Sequence, residues 1–388
     1  MPSPATSRQL AAGRWSTLPA APINQRDGAS VVWTGTELLV WGGASGAEDH
    51  LLHADGAGYD PASGIWESMP ASPLSPRVGQ AAVWTGSELV VWGGFVKGGA
   101  NPSAPTADGA AYDPTTGRWE VLPPAPLSPR GDAIAVWTGA EVLVLGGGPG
   151  GGGQPGEVGG SDQAYGDGAA YDPSTDRWQH LPAPVAPQGH PLTWSAAVQL
   201  DGELLAWSEW EMQDAGGVDL FAYSEPTGAW RLVRPAAAAL PDVEEVLAAG
   251  QEALVRGITY NCGGCPGPAV PEVVDLYNPV SNAWTRLPAD PLTALDFGGL
   301  VSAWTGGALF SFNPEGEASS PTDPSQDVLP GDASAYDPAT HAWQRLPAAP
   351  SGCDSPLPWD PVWTGRQLIL YCEPSSGGGD GFVLTAGG

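Results

Sequence analysis

The chain has 388 residues, 43 acidic against 14 basic side chains and a formal charge of −29, with Lys97 its one lysine. A polyanion is bound by clustered cations that release its counterions, and no such cluster exists, so nucleic acid and anionic membrane surfaces are excluded as partners. Glycine (55) and proline (42) make up a quarter of the chain, yet 18 tryptophans and 42% hydrophobic content supply ample surface for a core.

The opening residues, MPSPATSRQLAA, lack the apolar centre of a signal peptide, and residues 1–12 are expected to be disordered or loosely held. From Gly13 the chain reads as short strands broken by Gly/Pro turns. GRWSTLP (13–19) is an isolated strand. DGASVVWTGTELLVWGG (27–43) is strand, tight turn, strand, and it recurs as GQAAVWTGSELVVWGG (79–94) and DAIAVWTGAEVLVLGG (132–147). The second strand of each pair is apolar on consecutive residues, so it is expected to be buried on both faces.

A second hairpin follows each of these: DGAGYDPASGIWESMP from Asp55, DGAAYDPTTGRWEVLP from Asp108 and DGAAYDPSTDRWQHLP from Asp167. In each an aromatic strand enters an Asp-Pro turn, and in Asp113-Pro114-Thr115-Thr116-Gly117 proline presets φ while glycine takes the left-handed residue. Tyrosine and tryptophan stand seven apart in six copies, at Tyr59/Trp66, Tyr112/Trp119, Tyr171/Trp178, Tyr223/Trp230, Tyr277/Trp284 and Tyr336/Trp343.

Four strands, a to d, therefore form a unit that repeats every 51–59 residues, counted between tryptophans of strand d. A period near fifty with Gly-Gly, then Tyr, then Trp resembles the kelch repeat, of the bacterial and galactose-oxidase-like central-propeller kind. The resemblance implies an all-β, seven-bladed β-propeller with four-stranded antiparallel blades, spanning residues 13–388 as one domain. GRWSTLP has no preceding a, b or c, and DGFVLTAGG (380–388) has no d, so the N-terminal strand is expected to complete the last blade and close the ring.

In such a meander the a–b and c–d turns share one end, and the b–c and d–a connections the other. The long segments Ala44–Ala54, Phe95–Ala107, Gly148–Gly166 and Glu209–Val218 all fall at the second end, where binding is expected. The reading is a propeller that binds a protein, peptide or carbohydrate there and stays monomeric. An enzyme acting on an anionic small molecule or sugar in the central funnel is the alternative, as isomerase, lyase or metal-dependent oxidoreductase.

Arg26, Arg77 and Arg130 each stand seven residues before a strand-a tryptophan. They are expected either to line the funnel and grip a carboxylate or sulfate, or to brace loops against Asp27 and Asp132. His50, His53 and His190 are further ligand candidates on the loop side. Their spacing matches no metal pattern, so no cofactor is expected. His180 and His341 read as structural. Kelch-like propellers include copper-radical sugar oxidases and iron-dependent specifier proteins. Tyr260 and Cys262 lack the histidines the former would need, and Ser45 stands where the latter would carry a carboxylate ahead of Asp49 and His53.

Cys353 and Cys372 flank strands a and b of the last blade, and Cys262 and Cys265 form a CxxC in a b–c loop. Both pairs are disulfide candidates, with a redox pair or zinc half-site as alternatives for the second. Disulfides favour an extracellular or cell-envelope protein whose leader was removed; otherwise the cytoplasm is expected.

Overall fold

The computed structural model describes residues 3–45, 51–98, 101–150, 164–200, 202–212, 215–225, 227–233, 242–258, 273–292, 300–314, 328–351, 353, 361–372 and 380–388. They form two compact units, Ala21–Gln213 with Asp219–Val233, and Met1–Ala20 with Asp214–Val218 and Arg234–Gly388.

The unit beginning at Ala21 contains four four-stranded antiparallel sheets, I to IV, each ordered a-b-c-d along the chain. Sheet I is built from Ser30–Trp33, Leu38–Trp41, Gly56–Asp60 and Ile65–Ser68. Sheets II and III repeat it from Ala81 to Val121 and from Ile134 to Leu181, and sheet IV runs from Thr193 to Val233. Within the unit the a strands of successive sheets are neighbours.

All four residues of the b strands Leu38–Trp41, Leu89–Trp92 and Val142–Leu145 are buried. Each such side chain contributes ~1.5–3 kcal/mol relative to exposure. The d strands are exposed along most of their length, and their tryptophans turn inward, each onto the tyrosine opposite. Tyr59–Trp66, Tyr112–Trp119 and Tyr171–Trp178 have ring centroids 5.1, 5.0 and 5.1 Å apart.

The turns form for the reasons their residues suggest. Asp60, Asp113 and Asp172 each accept a backbone N–H two residues on, at 2.7–2.8 Å. Gly64 and Gly117 then take φ of +72° and +66°. Asp176, Asn282 and His341 hold the same left-handed position, and each side chain meets the hydroxyl of the preceding tyrosine. This gives His341 its structural role. In the a–b turns, Thr34, Thr85, Thr138, Thr305 and Thr364 each accept the N–H three residues later.

The strand-d tryptophans also join sheets. Trp119 donates its indole N–H to the carbonyl of Pro70 (3.1 Å) and Trp178 to that of Pro123 (3.0 Å). Trp230 reaches Pro182 at 3.1 Å in the same way. Each bonds the chain just past strand d of the preceding sheet, while Trp119 and Trp178 lie against Trp41 and Trp92 of its b strand.

The other unit has three four-stranded sheets, V from Asp242 to Arg286, VI from Val301 to Arg345, and VII. Trp343 bonds the Pro288 carbonyl at 2.7 Å. Sheet VII contains Val362–Trp363, Gln367–Tyr371 and Gly381–Thr385, and its fourth strand is Arg14–Thr17 from the start of the chain. Arg14 lies opposite Thr385, Trp15 opposite Leu384, Ser16 opposite Val383 and Thr17 opposite Phe382. Trp15 is therefore the strand-d tryptophan of this sheet, and it donates to the Pro347 carbonyl at 2.7 Å.

Residues 1–12, expected to be loose, are docked from Ser3 onward. Helix α1 (Ser7–Ala11) is started by a capping box between Thr6 and Gln9. Leu10 is fully buried in the core of sheets VI and VII, Ala5 pairs with Gly306, and the Trp363 indole donates to the Ser3 carbonyl. The lead-in carries its own apolar anchor, Leu10, which lies outside the strand repeat and gave no signal within it.

Candidate functional site

The double glycine that ends strand b organises the loop-bearing end of sheets I to III. Gly42 donates to the carbonyl of Asp55, at the start of strand c, and Gly93 and Gly146 repeat this with Asp108 and Asp167. The second glycine turns to the next sheet: Gly43 donates to the Arg77 carbonyl, and Gly94 to that of Arg130, both at 2.9 Å. Returning bonds run from Arg77 N to the His53 carbonyl and from Arg130 N to the Thr106 carbonyl. A side chain on Gly43 would meet the Asp27 carbonyl at 2.7 Å, so the close approach requires glycine.

The same arginines send their side chains into their own sheets. Arg26 Nη1 lies 2.8 Å from Asp55 Oδ1 and 3.1 Å from the Gly42 carbonyl. Arg77 grips Asp108 with both Nη atoms, at 2.9 and 3.1 Å, and bonds the Gly93 carbonyl at 3.0 Å. Arg130 bonds Asp167 at 2.8 Å and the Gly146 carbonyl at 3.0 Å, with Tyr165 stacked 4.2 Å from its guanidinium carbon. Arg77 and Arg130 thus clamp two sheets at once, one by main chain and one by side chain.

The three side chains are 0, 0 and 1% exposed, which corrects the expectation that they offer free cations to an anionic ligand. They brace loops, with Asp55, Asp108 and Asp167 as partners rather than Asp27 and Asp132. Arg26 holds the Asp55 carboxyl below the usual carboxylate range.

Sheet IV replaces arginine with histidine. His190 precedes its strand a, and Nε2 lies 2.9 Å from Asp219, which stands where Asp55 does in sheet I. Its imidazole stacks on Trp210 at 4.6 Å, and Nδ1 meets the Pro191 carbonyl. His190 is buried as a clasp, not displayed to a ligand.

Sheet VII replaces the pair with sulfur. Cys372 follows Tyr371 as Gly42 follows Trp41, and its N–H donates to the Asp380 carbonyl. Cys353 donates its own N–H to Pro314, just past strand b of sheet VI, and is disulfide-bonded to Cys372. The bridge stands in the repeat where arginine and glycine meet in sheets I to III.

Sheet V carries a feature that the sequence reading missed. Arg256 occupies the strand-b position of Trp41, fully buried, with Nη2 2.6 Å from Ser311 Oγ in sheet VI. Glu245 lies 3.5 Å and Asp290 3.7 Å from it. Ser334 donates to Asp290, and Glu245 accepts the Ser302 N–H, so polar contacts bind V to VI. The available signal was a lone arginine in the apolar run EALVRGI.

At the loop end of sheet I, Ala44–Ser45 pairs with Leu51–Leu52, and His53 follows with Nε2 2.7 Å from Ser45 Oγ. In sheet II the corresponding segment is a longer hairpin, Phe95–Gly98 with Asn101–Pro105, which joins Arg77–Val78. Phe95 packs with Ala44, Val78 and Leu52 as a small second core over the clasps. Asp132 stands beside it with φ +54°, at the position of Gly28 and Gly79, and burial raises its carboxyl to about 6. His50, Cys262 and Cys265 lie outside the described residues. Among the described residues no set of three His, Cys, Asp or Glu side chains is grouped to hold a metal. No described helix is long and apolar enough to cross a membrane.

Sheets repeated at this period, with Gly-Gly turned onto the next sheet and Tyr stacked on Trp, define a kelch-type protein. A family model described as the KLHDC2/KLHL20/DRC7 Kelch-repeats domain matches residues 7–206, just over half of the chain. The chain belongs to this kelch-repeat family. It is also similar to the Kelch-like protein terF of Aspergillus terreus (strain NIH 2624 / FGSC A1156). The two are 29% identical over 359 residues, covering 88% of this chain and 68% of that protein.

Proposed function

We propose that the chain is an interaction propeller whose seven sheets are blades of one closed ring, with Arg14–Thr17 completing the last. Its b–c segments take a protein partner, or a peptide or carbohydrate presented by one. The observation that carries this reading is the clasp layer: three arginines and their aspartates fix the bases of loops that differ in length and sequence. The kelch family supports a protein-binding role, and the formal charge of −29 favours a basic partner surface. Burial of the arginines removes the cations that an anionic small molecule in the funnel would need. The Cys353–Cys372 bridge supports an extracellular or cell-envelope location, and we take the chain to act as a monomer without a metal.

The test is a peptide-display and glycan-array screen of the purified chain. Hits are then measured against a variant in which residues 96–104 are replaced by a Gly-Ser turn. Binding that weakens at least tenfold in this variant is the expected result. Hits that are indifferent to this loop and to a matching replacement of 45–52 would overturn the assignment of the binding end.

A further inference from the structure

Sheet I differs from its neighbours in what it lays over the clasp. Two residues before the clasp aspartate stands His53, where sheets II and III have Thr106 and Tyr165. Two residues after the second glycine stands Ser45, where they have Val96 and Pro149. The main chain fixes His53 from both sides, its N–H on the Gly43 carbonyl and its carbonyl on Arg77 N. Its ring therefore points along the hairpin, with Nε2 2.7 Å from Ser45 Oγ and Nδ1 3.7 Å from Asp55 Oδ1. Asp55 is anchored in turn by Arg26 at 2.8 Å.

Hydroxyl, imidazole and carboxylate in that order are the parts of an acyl-transfer nucleophile, recognised by geometry and not by chain order. The outer contact of 3.7 Å is longer than a hydrogen bond, as such contacts often are before substrate binds. Ser45 and His53 are part-exposed and the Asp55 side chain is 58% exposed, so the group is open at the loop end.

The geometry assigns Ser45, His53 and Asp55 as a nucleophilic site that takes an acyl group from an uncharged carboxylic ester. Ser45 Oγ bonds to the ester carbonyl carbon while its proton passes to His53 Nε2. The carbon–alkoxy bond then breaks, and that proton leaves with the alcohol. Water, deprotonated by the same imidazole, releases the carboxylic acid and restores the serine. Burial and the Arg26 charge lower the His53 pKa while Asp55 opposes them, which favours the neutral ring that can accept the proton. Uncharged esters are specified because the acidic chain repels anionic ones. This activity is additional to the binding role and does not depend on it.

The purified chain is treated with a fluorophosphonate probe and digested, and the labelled peptide is located by mass spectrometry; p-nitrophenyl acetate hydrolysis is followed in parallel. Labelling at Ser45 is expected, with its rate and the ester turnover falling about 100-fold or more in His53→Gln. Both should be lost in Ser45→Ala, whose folding is checked by circular dichroism. No label on Ser45, labelling at an equal rate in folded His53→Gln, or ester turnover that survives Ser45→Ala would overturn the assignment.

Discussion

Arg77 binds Asp108 through both terminal nitrogens, at 2.9 and 3.1 Å, while its carbonyl accepts the Gly43 N–H of the preceding sheet. Asp108 is half-exposed and Arg77 fully buried, so the two partners are not equivalent. Asp108→Ala leaves a buried guanidinium uncompensated and is expected to cost about 3–5 kcal/mol. Arg77→Lys forfeits the fork but keeps the charge, and is expected to cost less. Urea unfolding of both variants checks the order, with Asp108→Ala the more damaging.

The indole of Trp119 loses its bond to the Pro70 carbonyl when replaced by phenylalanine, but most of its packing on Trp41 survives. The expected loss is about 1–2 kcal/mol in Trp119→Phe and about 3–5 kcal/mol in Trp119→Ala. Thermal unfolding of the pair separates the hydrogen bond from the ring contact.

Asp132 holds a left-handed φ of +54° and a carboxyl raised by burial to about 6. A raised acid binds more protons folded than unfolded between pH 3.8 and about 6, so its contribution to stability falls as pH rises through that window. Asp132→Gly relieves both the charge and the backbone, and is expected to stabilise the chain at pH 7 by about 1–2 kcal/mol. The charge part of that gain should vanish below pH 4, as unfolding curves at pH 4 and pH 7 will show.

Blades were legible because their signals are local. A run such as Leu38-Leu39-Val40-Trp41, or the Tyr112 to Trp119 spacing, is written within one hairpin and tolerates no other register. The clasp was not legible, because Arg26 and Asp55 are 29 residues apart and meet through loops. The constant feature is the step of 16 from each arginine to the first glycine, at Arg26/Gly42, Arg77/Gly93 and Arg130/Gly146. Read together with the following aspartate, that step would have marked the arginines as internal. His190 and Cys353 were harder still, since each fills the arginine's place with different chemistry.

The Cys353–Cys372 bridge closes a loop of 19 residues and is expected to contribute about 3 kcal/mol. In a Cys262→Ser/Cys265→Ser background, adding a phosphine reductant should lower the unfolding midpoint. Cys353→Ser in that background should start from the lower value and ignore the reductant.

Because Thr385 faces Arg14 as Asp60 faces Ile65, strands from the first and last parts of the sequence pair in the register of an ordinary c–d hairpin. Sheet VII therefore lacks the covalent turn that the other c–d pairs have, and α1 with its buried Leu10 pins the first strand in its place.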